Sequence, residues 1–403
     1  METSAIDPRA ATYDQTTTGS PERSAPRIAS LDLVRGVVMV LMAIDHVRVY
    51  SGLPAGGPTS GIFFTRWITH FCAPTFVFLA GTGAFLHGKK LGDKRALARY
   101  LATRGLILVL LELTVIRLAW TFNFDYAHFV LAGVIWMLGW CMVLLAGLVR
   151  LPTKAIGTIG LVIIFLQQIF ALPPRVLPES LRNSVGWLWE FVYPAGLEGW
   201  PALSILYTIV PWIGVMAAGY AFGAIMMREP AERRRLCLRI GLSATTLFLV
   251  GGGLIVFLSP PSADAPPALF QLLGQQKYPA SQLFLLMTLG PMIALLPLTE
   301  RARGWIAGVF VTFGRVPMFY YLLHIPVIHV VALVVTLLRE GSVHPERYAQ
   351  APYASVPEEY KWGLPLLYLV FVIVVAALYV PCRWFAGIKA YRAYRQKGWL
   401  RYL

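Results

Sequence analysis

Apolar runs long enough to cross a bilayer recur along this chain, and few folds accept them. A hydrocarbon core of about 30 Å takes roughly 20 apolar residues in helical form. Within lipid only helices and closed barrels satisfy their own backbone polar groups. Such runs are read at about 31–50, 66–87, 101–119, 128–149, 154–172, 203–226, 237–258, 281–298, 316–338 and 363–385. Charged residues are only 14% of the 403, where a soluble domain carries about 25%. The expected fold is all-α, a polytopic transmembrane helical bundle of about ten spans. Residues 304–315, GWIAGVFVTFGR, read as a short helix or re-entrant piece before the ninth span.

The net charge of +15 lies in short connections rather than on one soluble face, which argues against nucleic acid. Basic residues cluster before span one (Arg9, Arg23, Arg27), between spans two and three (Lys89, Lys90, Lys94, Arg95, Arg99), at Arg150 with Lys154, at Arg228 with Arg233–Arg235, at Arg301 with Arg303, and after span ten (Lys389, Arg392, Arg395, Lys397, Arg401). The alternate connections, 51–65, 120–127, 173–202, 259–280 and 339–362, are neutral or slightly acidic. By the positive-inside rule both termini face the cytoplasm, as an even span count requires. Residues 1–26 have no apolar h-region, so no cleavable signal peptide is expected and they read as a disordered cytoplasmic tail. A transmembrane domain over 27–387 and a basic cytoplasmic tail over 388–403 complete the organisation. The four cysteines, Cys72, Cys141, Cys237 and Cys382, fall in or beside apolar spans, so a disulfide framework is not expected.

Ionisable groups inside spans are costly and mark functional interiors. Span one, LDLVRGVVMVLMAIDHVRVY, places Asp32, Arg35, Met39, Met42 and His46 on one helical stripe. Arg35 and His46 stand about 16 Å apart along the axis. Asp45, adjacent to His46, faces elsewhere and is read as orienting a group on a neighbouring helix. His70, in RWITHFCAP at the start of span two, is expected near the depth of His46. The pair suits proton transfer better than a metal, which needs more ligands than these spans offer. Span three carries Glu112 and Arg117, five residues apart and so on different faces, each read as pairing with a different helix; Asn123, Asp125 and His128 follow on the outer side. In span nine, Tyr320 and Tyr321 lie within one turn of His324, between the helix-kinking Pro317 and Pro326, while His329 is deeper and on another face. Arg315 joins Arg35, Arg104, Arg301 and Arg303 at a basic mouth suited to a phosphate-bearing ligand. Snorkelling to headgroups explains many of the same arginines. The loops 173–202 and 339–362 are rich in Trp, Tyr, Pro and carboxylates. They read as interfacial aromatic belts or as a stacking platform for a sugar on Trp187, Trp189 or Trp200. No soluble nucleotide-binding fingerprint is present.

Five stretches in order, RIASLDLVRGVVMVLMAIDH, LLELTVIRLAWTFNF, IVPWIGVMAAGYAFG, KYPASQLFLLMTLGP and FGRVPMFYYLLHIPVIH, resemble the bacterial branch of the heparan-α-glucosaminide N-acetyltransferase catalytic-domain family, over about residues 27–403. The opening pattern R-x-x-S-x-D-x-x-R-G is matched by Arg27, Ser30, Asp32, Arg35 and Gly36. The resemblance implies a multi-pass acyltransferase of the bacterial cytoplasmic (inner) membrane. It would take an acyl group, acetyl being the one that resemblance favours, from cytoplasmic acetyl-CoA and pass it to an amine or hydroxyl of an extracytoplasmic, sugar-like acceptor. One departure stands out. The lysosomal namesake keeps its catalytic histidine in the first outer loop, and loop 51–65 here has none. The role then falls to His46 or His70, which flank that loop, or is absent.

Three expectations follow, the third being a non-catalytic membrane partner in envelope assembly. In the first, acyl-CoA is held by Arg35, Asp32, Arg104, Arg315, Tyr321 and His324, and His46, assisted by Asp45 or His70, activates the acceptor, with no metal. Membrane lipid, acyl-CoA and a glycan or sugar-like acceptor are the expected partners, and a homodimer is left open. In the second, the buried His, Glu and Arg serve proton-coupled transport of an anionic or sugar-like solute.

Overall fold

The computed structural model describes residues 29–57, 59–194, 202–260 and 265–391. The expected terminal tails, apart from residues 388–391, lie outside the described residues, as do Arg27, at the head of the opening pattern, and Trp200 of the stacking platform. The chain forms a helical bundle. Its first helix, α1 (Ala29–Tyr50), has Asp32 in the first turn and Arg48 in the last, each sign matching the helix dipole. Next come α2 (Ser60–Trp67), a 3-10 stretch (Ile68–Phe71) and α3 (Cys72–Leu91). The α2 N-terminus is capped by Thr59, whose hydroxyl accepts from the Ile62 amide at 3.3 Å. At the far end Gly92, at φ +68°, closes α3 in the left-handed conformation typical of a helix C-terminus.

Asp93 caps α4 (Lys94–Leu111), accepting from the Arg95 amide at 2.8 Å. The helix then widens into a π-helical turn (Glu112–Ile116) before α5 (Arg117–Thr121). Strand β1 (Val130–Ala132), α6 (Val134–Leu148), α7 (Thr153–Phe165), α8 (Pro173–Val176) and α9 (Glu179–Val185) follow, then β2 (Leu203–Ile205) and α10 (Trp212–Met226). The remainder is α11 (Pro230–Leu258), α12 (Ala268–Leu273), α13 (Gln282–Thr299), α14 (Trp305–Arg315), α15 (Pro317–Glu340) and α16 (Leu364–Ala390).

Helices occur within each of the ten stretches read as spans, and α14 fills the short piece before the ninth. Among the described residues five helical units are long and apolar enough to cross a membrane: Ser60–Leu91, α11, α13, α15 and α16. A sixth forms if the pair Thr153–Phe165 and Gln167–Val176, bent by 61°, counts as one. The expected starts of two spans are not helical. Residues 130–132 and 203–205 pair instead as parallel strands, Val130 opposite Leu203 and Ala132 opposite Ile205. The fully buried Arg117 fixes that neighbourhood. Its guanidinium donates to the carbonyls of Phe129 at 3.0 Å and Asp125 at 2.6 Å, and to that of Asn123.

The charged α1 sits centrally, packed on α3, α13, α14, α15 and α16. Its contact with α14 is backbone to backbone. A Cβ added to Gly36 would lie 1.8 Å from the Phe310 carbonyl oxygen, and one on Gly314 would lie 1.8 Å from that of Asp32. Small residues allow this approach where helices meet in a membrane. Gly81 and Gly219 do the same where α3 crosses α10, with 2.0 and 2.1 Å to opposing carbonyls. All four cysteines are buried and unpaired.

Candidate active site

A cavity of about 280 Å³ lies between α1, α3, α4, α6 and α15. Arg35, His87, Tyr100 and Arg104 bring its polar character, and Met39, Leu108, Leu138 and Met142 line apolar walls. Arg35 reaches it because the α1–α14 contact holds its base. Its Nη1 donates to Asp32 Oδ1 at 3.2 Å, the i,i+3 pair that the spacing allows, and to the Gly314 carbonyl at 3.3 Å. Arg104 Nη1 donates to the Tyr100 hydroxyl at 2.7 Å, one turn away. Its buried Nε has no partner among the described residues. Of the expected donor-binding group, Arg35, Arg104 and Tyr321 line the cavity and Asp32 anchors Arg35. Arg315 is exposed at the end of α14 and lines no part of it.

Tyr321 connects this cavity to a pair of histidines. His324 is fully buried, and its Nδ1 lies 2.7 Å from the Tyr321 carbonyl and 3.2 Å from that of Tyr320. Carbonyls only accept, so Nδ1 carries the proton, and in the neutral ring Nε2 is bare. That Nε2 stands 2.7 Å from His46 Nδ1, which must therefore donate to it. His46 is thus left with a bare Nε2, the form of a general base. The two imidazoles stack with centroids 4.8 Å apart, and Trp120 meets the edge of His46 at 4.8 Å. Sequence spacing had set His324 on the donor side; the fold makes it the direct partner of His46, across 278 residues.

Asp45 and His70 are placed differently. Successive residues on a helix point about 100° apart, and Asp45 turns away from His46. Its carboxylate bridges Arg48 Nε at 3.0 Å and Arg66 Nη1 at 2.5 Å, the second of these on α2. His70 packs on Phe284, with ring centroids 5.3 Å apart, and lines a second cavity with Arg66, Trp67, Lys277 and Tyr278. No contact joins His70 to His46 among the described residues. At that second cavity burial opposes ionisation of Tyr278, but the neighbouring Lys277 and Arg66 cations outweigh it and hold the phenol below its ordinary range.

The remaining polar groups serve local structure. Glu112 accepts from the Ile135 and Trp136 amides at 2.9 and 3.3 Å, capping α6 from the π-helical turn of its neighbour. His329 Nδ1 lies 3.3 Å from the Ala119 carbonyl, with its ring stacked on Phe122. Asp125 is held below the usual carboxylate range by its hydrogen bond with His128. Trp189 Nε1 donates to the Phe170 carbonyl at 2.7 Å, which ties down that part of the aromatic loop. Lys277 was not singled out by sequence. Its signal was the one basic residue of the 259–280 connection, beside Tyr278.

No curated protein matches this chain. A sequence-family profile described as "Heparan-alpha-glucosaminide N-acetyltransferase, catalytic" matches residues 27–259. The matched part contains α1 to α11, with Arg35, His46, His70 and Arg104; Lys277, Tyr321 and His324 lie beyond it. Over more than half its length, and with five apolar helices of spanning size among its described residues, the chain belongs to the heparan-α-glucosaminide N-acetyltransferase catalytic family of membrane transferases.

Proposed function

We propose that the protein transfers an acetyl group from cytoplasmic acetyl-CoA to an amine or hydroxyl of a sugar-like acceptor on the opposite face of the inner membrane. The observation that carries this reading is the connection from the Arg35–Arg104 cavity through Tyr321 and His324 to His46. The residues present fit such a donor. Arg35 and Arg104 are suited to the nucleotide phosphates, and the apolar walls suit an acyl-pantetheine arm. His46 Nε2 takes the proton of the acceptor as its nitrogen or oxygen attacks the thioester carbonyl. The carbon–sulfur bond breaks, and the proton held on His46 passes to the departing thiolate. His324 holds His46 in the required tautomer, with its own Nδ1 fixed on the Tyr321 carbonyl. Asp45 acts through Arg66 and Arg48, not on His46.

The test is acetyl-CoA binding to the purified full-length protein, with free CoA as competitor. Charge-assisted hydrogen bonds contribute about 1.5–3 kcal/mol, so Arg35→Ala is expected to weaken binding tenfold or more. A wild-type protein that is folded and does not bind millimolar acetyl-CoA refutes the reading.

A further inference from the structure

A third cavity, of about 780 Å³, opens between the first turns of α11 and the last turn of α13 and shares no lining residue with the other two. Arg234, Arg235 and Arg239 line it from α11, and Arg301 joins them from just past α13. The nearby carboxylates are committed elsewhere. Glu300 accepts from both branches of Arg233, at 2.7 and 2.9 Å, and Glu232 pairs with Arg228 at 3.5 Å. None of the four lining guanidiniums has a carboxylate partner among the described residues, and all four residues are exposed. Like charges gathered in this way repel one another and suit an anion, phosphate above all.

The cavity continues along the apolar part of α11. Leu242, in its wall, also lines a groove of about 490 Å³ with Ser243, Thr246, Leu247 and Val250. Leu242, Leu247 and Val250 are each more than half exposed. Residues 240–258 carry no charge, and that length of helix rises about 28 Å, close to the thickness of a hydrocarbon core. The same measure sets Arg239 at the edge of the core and Arg234 and Arg235 in the headgroup layer. From Leu242 to Val250 the groove runs about 12 Å, most of the depth of one leaflet. Snorkelling asks only that each arginine reach the interface; it gives no reason for four to converge from two elements above one apolar groove. We propose that this surface holds an anionic phospholipid, its phosphate among Arg234, Arg235, Arg239 and Arg301 and one acyl chain in the groove. Basic pockets between membrane helices take such headgroups. The charge pattern assigns this end of α11 to the cytoplasmic leaflet, and the inference stands apart from the transfer reading.

The experiment is native mass spectrometry of the full-length protein in detergent, titrated with dioleoyl phosphatidylglycerol or dioleoyl phosphatidylcholine. Wild type is expected to hold phosphatidylglycerol at least about tenfold more tightly, as one charge-assisted contact allows. Arg235→Gln with Arg239→Gln should lose most of that preference. Lys90→Gln with Lys154→Gln, which removes equal charge at exposed positions elsewhere, should keep it. Thr246→Trp, which fills the groove and leaves the arginines in place, should weaken phosphatidylglycerol binding severalfold. Equal wild-type affinity for the two lipids overturns the proposal. So does an equal loss in the two double variants, which would make the preference one of net charge, and so does full affinity in Thr246→Trp. Displacement of the lipid by millimolar inorganic phosphate would assign the arginines to a free anion instead. A lipid-free dimer that Thr246→Trp splits would give the face to a second copy of the chain; either result overturns the lipid site. If the arginine variant does not fold, the wild-type comparison and Thr246→Trp decide.

Discussion

At the scale of single residues, the proposed mechanism gives the two histidines separable roles. His46→Ala removes the base and should lower transfer by 10²–10⁴, the usual range for general-base loss, with acetyl-CoA binding nearly unchanged. His324→Ala removes the group that fixes the tautomer. Its kcat should fall at least about tenfold while KM for acetyl-CoA stays put, since the residue touches neither substrate. A matching rise in KM would show instead that His324 shapes the cavity. Part of this site could be read from spacing. Asp32 and Arg35 are three apart and pair as helical geometry allows. The stripe from Arg35 to His46 lies on one helix. The contact of His46 with His324 could not be read, because it depends on how α1 packs against α15. Asp45 illustrates the same limit: adjacency in sequence suggested help for His46, but about 100° of helical rotation turned it to the arginines.

At the scale of elements, the α1–α14 crossing sets where Arg35 stands. A methyl group on Gly314 meets the Asp32 carbonyl, and overpacking of this kind costs about 1–3 kcal/mol or more. Gly314→Ala should therefore lower the melting temperature of the purified protein and weaken acetyl-CoA binding together. Gly308, on the same helix, has open space around it, with nothing within 4 Å of where a methyl group would sit. Gly308→Ala should leave stability unchanged or raise it slightly, because alanine favours helix over glycine by about 1 kcal/mol. An equal loss in both variants would mean that the close approach of Gly314 to Asp32 is not what governs the crossing. Helix positions were legible because long apolar runs have few alternatives in lipid. The short strands at 130–132 and 203–205 were not, since their pairing joins segments about 70 residues apart in a register that no local pattern encodes. The buried Arg117 that organises the loop before β1 looked like an ordinary helix-pairing charge.

At the scale of the whole molecule, the alternation of basic connections makes the arrangement testable. Single cysteines at Gly56 and Ser342, both exposed, should react with a membrane-impermeant maleimide on intact cells. Cysteines at Lys90 and Arg228, also exposed, should react only after permeabilisation. Labelling of all four from outside would refute both the span parity and the inward-facing donor mouth. The expected orientation rests on charge alone, whereas the two cavities emerge only from the assembled bundle. The burial of Cys72, Cys141, Cys237 and Cys382 bears on this measurement in a practical way. A thiol shut away from water is out of a water-borne reagent's reach, so the natural chain is already silent towards it. Topology can be mapped by adding one cysteine at a time to the unaltered protein, with no cysteine-free background to build and no activity lost in building it.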